Sequence, residues 1–195
     1  MSCRTHTQPC FTPGLLALAV LGRVEEAIEE EKLFLVAFEH KEMGNRRLHN
    51  NMAADILATK AEMLHGEIEY RQGNFAKAFA HLRTAVEMED ALPYDEPWGI
   101  MQPCRHALGA LLLEQNLVDE AIEVYLADMA SGRHPENPWA LRGLLSCYEQ
   151  KSECGRGKGE GTASETAGEV WRDLERYTLQ LLLCRDADCS WKLWK

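Results

Sequence analysis

The same spacing of small and bulky residues occurs twice in this chain, and it limits the fold to tightly packed pairs of helices. Counted from Gly66, the residues at +7, +9, +12, +16 and +19 are Gly73, Phe75, Ala78, Leu82 and Ala85. Counted from Gly109, the residues at +7, +9, +12 and +16 are Asn116, Val118, Ala121 and Tyr125. Gly143 follows Gly109 by 34 residues, a period that is typical of stacked helical hairpins. Two antiparallel helices approach closely only where Gly or Ala lies at the crossing and bulkier neighbours fill the space around it.

A weaker copy of the pattern begins at Leu15. The residues at +7, +9, +12 and +19 from it are Gly22, Val24, Ala27 and Phe34. The apolar run from Leu15 to Gly22 is therefore interpreted as a repeat helix. The alternative is a cleaved secretory signal. Such a signal needs a small-residue cleavage site after the apolar run, but the run is followed directly by Arg23, Val24 and Glu25. The run is also far shorter than the roughly 20 residues that a membrane-spanning helix needs.

The pattern and the composition together predict an all-α chain with no strand, divided into five segments. Stretches of sequence that are rich in proline or glycine mark the limits of these segments. Such stretches interrupt helices, or they bury too little apolar surface to become ordered. The segments are a disordered N-terminus (1–13), a degenerate first hairpin (14–44), the repeats (50–150), a flexible low-complexity insertion (151–168), and a C-terminal helix with its tail (169–195).

Charge and cysteine content restrict the partners and the compartment. The chain has 21 basic and 31 acidic residues, which gives a net charge of −10. This balance disfavours nucleic acid and anionic membrane surfaces as partners, because both require positive patches. Seven cysteines form an odd set without a C-x-x-C motif, which is typical of reduced thiols in a cytoplasmic protein.

Two segments resemble the tetratricopeptide repeat (TPR) family. They are GEIEYRQGNFAKAFAHLRTAVEMEDALPYDEPWGIMQPCRHALGALLL (66–113) and HPENPWALRGL (134–144), and LPYDEPW is the most specific part. The resemblance covers residues 15–150 and implies a right-handed α-α superhelix of about three to four hairpins. It also implies a concave groove that binds a protein or peptide without a cofactor. The chain is similar to the C-terminal part of long TPR proteins, so the missing N-terminal part of a longer solenoid is a further expected partner. Asp128, Arg142 and the 151–168 insertion depart from the family pattern.

The resemblance implies a set of groove residues on the first helix of each hairpin. Residues three before, one after and four after each glycine face the groove in this family. In this chain they are Met63, Glu67 and Tyr70, then His106, Ala110 and Leu113, then Ala140, Leu144 and Cys147. This mostly apolar set favours an apolar or aromatic peptide, with Glu67 available for one basic group. The alternative for Tyr70 is a core residue, whose truncation would destabilise the fold.

The loop after the second hairpin is a further candidate contact. Its candidate residues are Tyr94, Asp95, Glu96 and Trp98. The acidic side chains could steer a basic partner. The alternative is structural, with Pro93 and Pro97 stiffening the connection while the aromatic residues pack over the hairpins.

The sequence contains no recognisable spacing of nucleophile and base, so we expect a non-catalytic interaction scaffold. His65, His81, His106 and Cys104 are candidate metal ligands by type, but we expect them to be core or surface residues and predict no metal site. The glycines at 155–161 lack the order of a phosphate-binding loop. The alternative function is a metal-binding or redox enzyme or accessory protein that uses Cys and His residues.

Overall fold

The structure is a computed structural model that describes residues 11–40, 43–95, 100, 102–134 and 137–155. These residues form seven α-helices, one 3-10 turn at Met43–Asn45, and one short β-ladder. The helices are α1 (Phe11–Val20), α2 (Val24–Phe38), α3 (Ala53–Arg71), α4 (Phe75–Ala91), α5 (Cys104–Glu114), α6 (Val118–Ala130) and α7 (Pro138–Gly155). The chain divides into two compact units, Met1–Ala107 and Leu108–Lys195, and the boundary falls within α5.

Three helical hairpins share one turn geometry. In each turn a single residue adopts left-handed backbone at the +7 position of the pattern: Gly22 (φ +75°), Gly73 (φ +82°) and Asn116 (φ +60°). The following residue donates its N–H to the carbonyl five residues earlier, in the bonds Arg23→Leu18 (2.9 Å), Asn74→Glu69 (2.9 Å) and Leu117→Leu112 (3.0 Å). This is the Schellman arrangement, which glycine and asparagine favour because they tolerate positive φ. The +7 position therefore sets where each first helix ends.

In the first unit, α3 is the central helix and packs against α1, α2 and α4. One core cluster joins apolar residues of α1, α2 and α3: Leu15, Ala19, Ala27, Phe34, Leu57, Ala61, Leu64 and Ile68. A second cluster contains Ile56, Met63, Ala85, Leu92, Ile100 and Cys104. The crossing of α3 and α4 lies at Gly66, where a Cβ atom would stand 2.7 Å from Leu82 Cγ.

In the second unit, the ring of Tyr125 on α6 takes the space that two glycines leave. A Cβ atom at Gly109 would lie 2.7 Å from Tyr125 Cζ, and one at Gly143 would clash with the same ring. Burial raises the pKa of Tyr125 to about 12, as expected for a phenol enclosed by protein. The period of 34 residues therefore corresponds to two glycines that face one aromatic ring.

Asp128, which departs from the family pattern, is completely buried. Its Oδ1 atom lies 3.0 Å from Nδ1 of His134, which is also buried. The carbonyl oxygen of Asp128 accepts a hydrogen bond from the Ser131 hydroxyl. A polar side chain at this +19 position is accommodated because the turn after α6 supplies a polar partner.

The prediction of a mostly helical chain is confirmed, and the prediction that it has no strand is wrong. Arg47–Leu48 and Asn51–Met52 pair as two antiparallel strands just before α3. His49 adopts positive φ (+53°) in the two-residue turn between them, a conformation that histidine visits more readily than most residues. Each strand has only two residues, which is too few to show the alternation of apolar and polar residues that identifies a strand in a sequence.

The outer segments fall partly outside the described residues. α1 begins at Phe11 and α7 continues to Gly155, so residues 11–13 and 151–155 are helical. The remaining parts of the predicted disordered N-terminus and low-complexity insertion, and all of 169–195, lie outside the described residues. Among the helices that are described, none is both long and apolar enough to span a membrane.

We expect Gly66→Val to lower the free energy of unfolding by about 1–3 kcal/mol, because the new side chain meets Leu82 and the Ala78 carbonyl oxygen at the α3–α4 crossing. Gly44→Val is the matched control. A Cβ atom at Gly44 has no atom within 4 Å, and the residue is exposed, so the change should stay within about 0.5 kcal/mol. Urea denaturation of the three proteins measures both values, and equal stabilities would contradict the crossing.

Candidate functional site

The three predicted groove residues on α3 are buried. Met63, Glu67 and Tyr70 each expose less than a tenth of their surface, and Tyr70 exposes only 4%. The Tyr70 ring makes edge contacts with two rings of α4, at centroid distances of 5.1 Å to Phe75 and 6.2 Å to Phe79. Such a ring fills the interior of the hairpin, which agrees with the alternative of a core tyrosine.

The carboxylate of Glu67 already has a cationic partner on its own helix. Arg71 Nε donates to Glu67 Oε1 at 2.8 Å, and a second guanidinium nitrogen lies 2.7 Å from the same oxygen. The guanidinium also stands 5.2 Å from the centre of the Tyr70 ring. A basic group of a partner would therefore have to compete with Arg71 for Glu67.

The candidate groove residues on α5 and α7 differ in exposure. Ala110 is exposed, and His106 and Leu113 are half-buried. Leu144 is buried, as are Ala140 and Cys147. Within the second unit, Ala110 and Leu113 are therefore the candidate residues with surface that a partner can reach.

Of the loop candidates, Asp95 is buried and structural, whereas Tyr94 is exposed. Asp95 is buried, and its Oδ2 accepts hydrogen bonds from the Asn51 side-chain amide (3.2 Å) and the Asn50 backbone N–H (3.3 Å). The Pro93 carbonyl oxygen also accepts a bond from the Asn51 amide, at 3.1 Å. Tyr94 is 57% exposed, whereas Glu96 and Trp98 lie outside the described residues. Asp95 therefore ties the loop to the short β-ladder and does not offer its charge to a partner.

Two of the cysteines, Cys104 and Cys147, lack the properties of reactive thiols. Cys104 and Cys147 are both buried and free. Burial raises the pKa of the Cys104 thiol far above its usual range, and the Glu89 carboxylate, which accepts a 2.8 Å hydrogen bond from the Cys104 backbone N–H, raises it further. Burial raises the pKa of Cys147 to about 11. Because the thiolate is the nucleophile and the metal ligand, these two residues do not support the redox alternative.

Two of the candidate histidines, which were expected to be core or surface residues, lie together with a glutamate. Glu62 and His65 on α3 and His81 on α4 each place a ligand atom within 4.8 Å of those of the other two. Glu62 and His65 are three residues apart, so they share one helix face. This Glu-x-x-His spacing is already present in the sequence, but the positions of the histidines and cysteines alone do not indicate it, because Glu62 completes the set.

We expect Tyr70→Ala to lower the free energy of unfolding by about 3–5 kcal/mol, because it leaves a cavity between α3 and α4. Tyr94→Ala is the matched control, since that ring is mostly exposed and its loss should cost less than about 0.5 kcal/mol. Urea denaturation measures both. A Tyr70→Ala protein as stable as the wild type would instead favour the groove assignment.

We expect Cys104 and Cys147 to resist alkylation in the folded protein at roughly pH 8, because the raised pKa values keep both in the thiol form. Iodoacetamide labelling followed by peptide mapping measures each cysteine separately. The same cysteines should react fully in guanidinium, which serves as the control. Rapid native labelling of either residue would restore it as a redox candidate.

No protein-family model, curated protein or solved structure matches the chain. The groove, loop and histidine assignments therefore rest on the spacing in the sequence and on the contacts of the described residues.

Proposed function

We propose that this chain is a non-catalytic scaffold that binds a protein or peptide through the first helices of TPR-like hairpins. In this proposal the hairpins stack as a right-handed superhelix in the cytoplasm, and the chain needs no cofactor for binding. The observation that supports it most is the Schellman turn, which recurs with the same hydrogen bonds to the carbonyl oxygens of Leu18, Glu69 and Leu112.

Equivalent packing after each turn supports the repeat assignment. The residue at +12 is a completely buried alanine in all three hairpins: Ala27, Ala78 and Ala121. A small residue at this place lets the second helix lie close to the first. Units that repeat in this way form extended surfaces when they stack, and such surfaces commonly bind other proteins.

The proposal assigns partner contacts to α5 and not to the interior of the α3–α4 hairpin. Ala110 is exposed and Leu113 is half-buried, and they are three residues apart on one helix face. Apolar side chains that keep exposed surface can gain free energy when a partner covers them. In this proposal Tyr70, which is buried, and Glu67, which pairs with Arg71, stabilise the hairpin and do not contact the partner.

The surface of α7 adds a second anchor in the same unit. Trp139 is 76% exposed at the start of that helix. A tryptophan gives a large contact area and has few rotatable bonds, which is why this residue is frequent at energetically important interface positions. An apolar or aromatic peptide is the partner chemistry that suits Trp139 together with Leu113.

Ala110→Arg tests the proposal because it places a long cation on the proposed contact surface without disturbing the core. Proteins captured from the native host by the wild-type chain are purified and titrated against wild type and variant. We expect the variant to bind the true partner more weakly by about 1–3 kcal/mol, with an unchanged melting temperature.

Ala130→Arg is the matched control for that experiment. It is the same substitution at an exposed position on α6, the second helix of the hairpin. It should leave the affinity unchanged. Equal loss of binding by both variants, or loss by neither, would contradict binding through the first helices.

A further inference from the structure

Three side chains with metal-ligand chemistry converge on one place in the first unit, and a fourth, Glu31, lies beside one of them. They come from three helices: Glu31 from α2, Glu62 and His65 from α3, and His81 from α4. His81 Nδ1 lies 2.7 Å from Glu62 Oε2, and His65 Nε2 lies 3.4 Å from Glu31 Oε1. The two imidazole rings are 5.3 Å apart between centroids.

Among the residues that the structure describes, no lysine or arginine forms an ion pair with this cluster. In the part of the chain that the structure describes, the ion pairs of these four residues join them only to one another. With neutral imidazoles the cluster carries two carboxylate charges, those of Glu31 and Glu62. The arrangement therefore suits a divalent cation.

Glu31 provides a further indication. Its Oε1 atom is buried and makes no hydrogen bond, and its ion-pair neighbour, His65 Nε2, stands 3.4 Å away. An unsatisfied buried carboxylate oxygen is costly in a folded protein, and a bound cation at this point would satisfy it.

The burial of the cluster also suits a metal site. The side chains of His65, His81 and Glu62 are 32%, 35% and 27% exposed, and that of Glu31 is 14% exposed. An ion can therefore enter from the solvent, while the helices restrict the movement of its ligands.

We propose that Glu62, His65 and His81 bind one divalent transition-metal ion and that Glu31 supplies the fourth ligand. Two imidazole nitrogens and two carboxylate oxygens form a ligand set that suits Zn²⁺. The proposal is independent of the scaffold function, because the ligands come from α2, α3 and α4 and include none of the proposed partner contacts.

The observed distances are close to those that the ion requires. Ligands of a tetrahedral zinc ion with bonds of about 2.0–2.1 Å lie roughly 3.3 Å from each other. The 3.4 Å separation of His65 and Glu31 already matches, and the 2.7 Å separation of His81 and Glu62 is shorter. The other separations among Glu62, His65 and His81 are at most 4.8 Å, so small side-chain rotations would bring these three ligand atoms to the required spacing.

The experiment uses the full chain, stripped with a chelator and titrated with Zn²⁺ and with Co²⁺. We expect one ion per chain and a higher melting temperature, because an ion that binds only the folded state stabilises it. Bound Co²⁺ should show the visible bands of a site with nitrogen and oxygen ligands. An intense thiolate charge-transfer band would assign the ion to cysteines and overturn the proposal.

Single substitutions identify the ligands. His65→Gln and His81→Gln should each weaken Zn²⁺ binding at least about tenfold, or roughly 1.4 kcal/mol. Glu62→Gln keeps the shape of the side chain and provides a second check if a histidine variant folds poorly. His49→Asn is the control, since His49 is exposed and asparagine tolerates its positive φ.

Unchanged Zn²⁺ affinity in the folded His65→Gln, His81→Gln and Glu62→Gln proteins would overturn the proposal. So would a wild-type chain that binds neither ion at micromolar concentration. Loss of binding in His49→Asn to the same extent would also contradict it, because it would indicate adsorption to surface histidines in general.

Discussion

Close crossing of helices at glycine is the constraint on which the rest of this structure depends. At Gly66 and Gly109 the first helix of a hairpin has no side chain at the contact, and the second helix fills the space with Leu82 or Tyr125. The Tyr125 ring also occupies the space beside Gly143. Protein interiors are packed to the density of crystals, so this contact fixes how far each pair of helices can slide or rotate. Burial at the other positions of the hairpin follows from that crossing.

The turns could be predicted from sequence because their chemistry is local. A left-handed residue ends the first helix seven residues after the crossing position, and Gly22, Gly73 and Asn116 are residue types that tolerate positive φ. The exposure of the first-helix residues could not be predicted in the same way. Tyr70 is buried because Phe75 and Phe79 on α4 lie against its ring, and the family register alone did not indicate those contacts.

Long-range polar contacts account for most of what the sequence did not reveal. The residue pairs that hold the loop to the β-ladder, Asn51–Asp95 and Asn50–Tyr94, are each separated by 44 positions. An acidic loop looks the same in sequence whether its carboxylates face solvent or accept hydrogen bonds in the interior. Asp128 follows the same principle over a shorter distance, because His134 provides the polar partner for an aspartate where the repeat pattern has alanine.

The histidine–glutamate cluster depends on the same crossing that defines the hairpin. His65 precedes Gly66, and His81 precedes Leu82, which is the residue that contacts Gly66 across the α3–α4 interface. Only a close approach of these two helices lets His81 reach Glu62 at 2.7 Å. An ion held there would therefore tie α2 and α4 to α3 beside the crossing, so that metal binding and helix packing stabilise one contact.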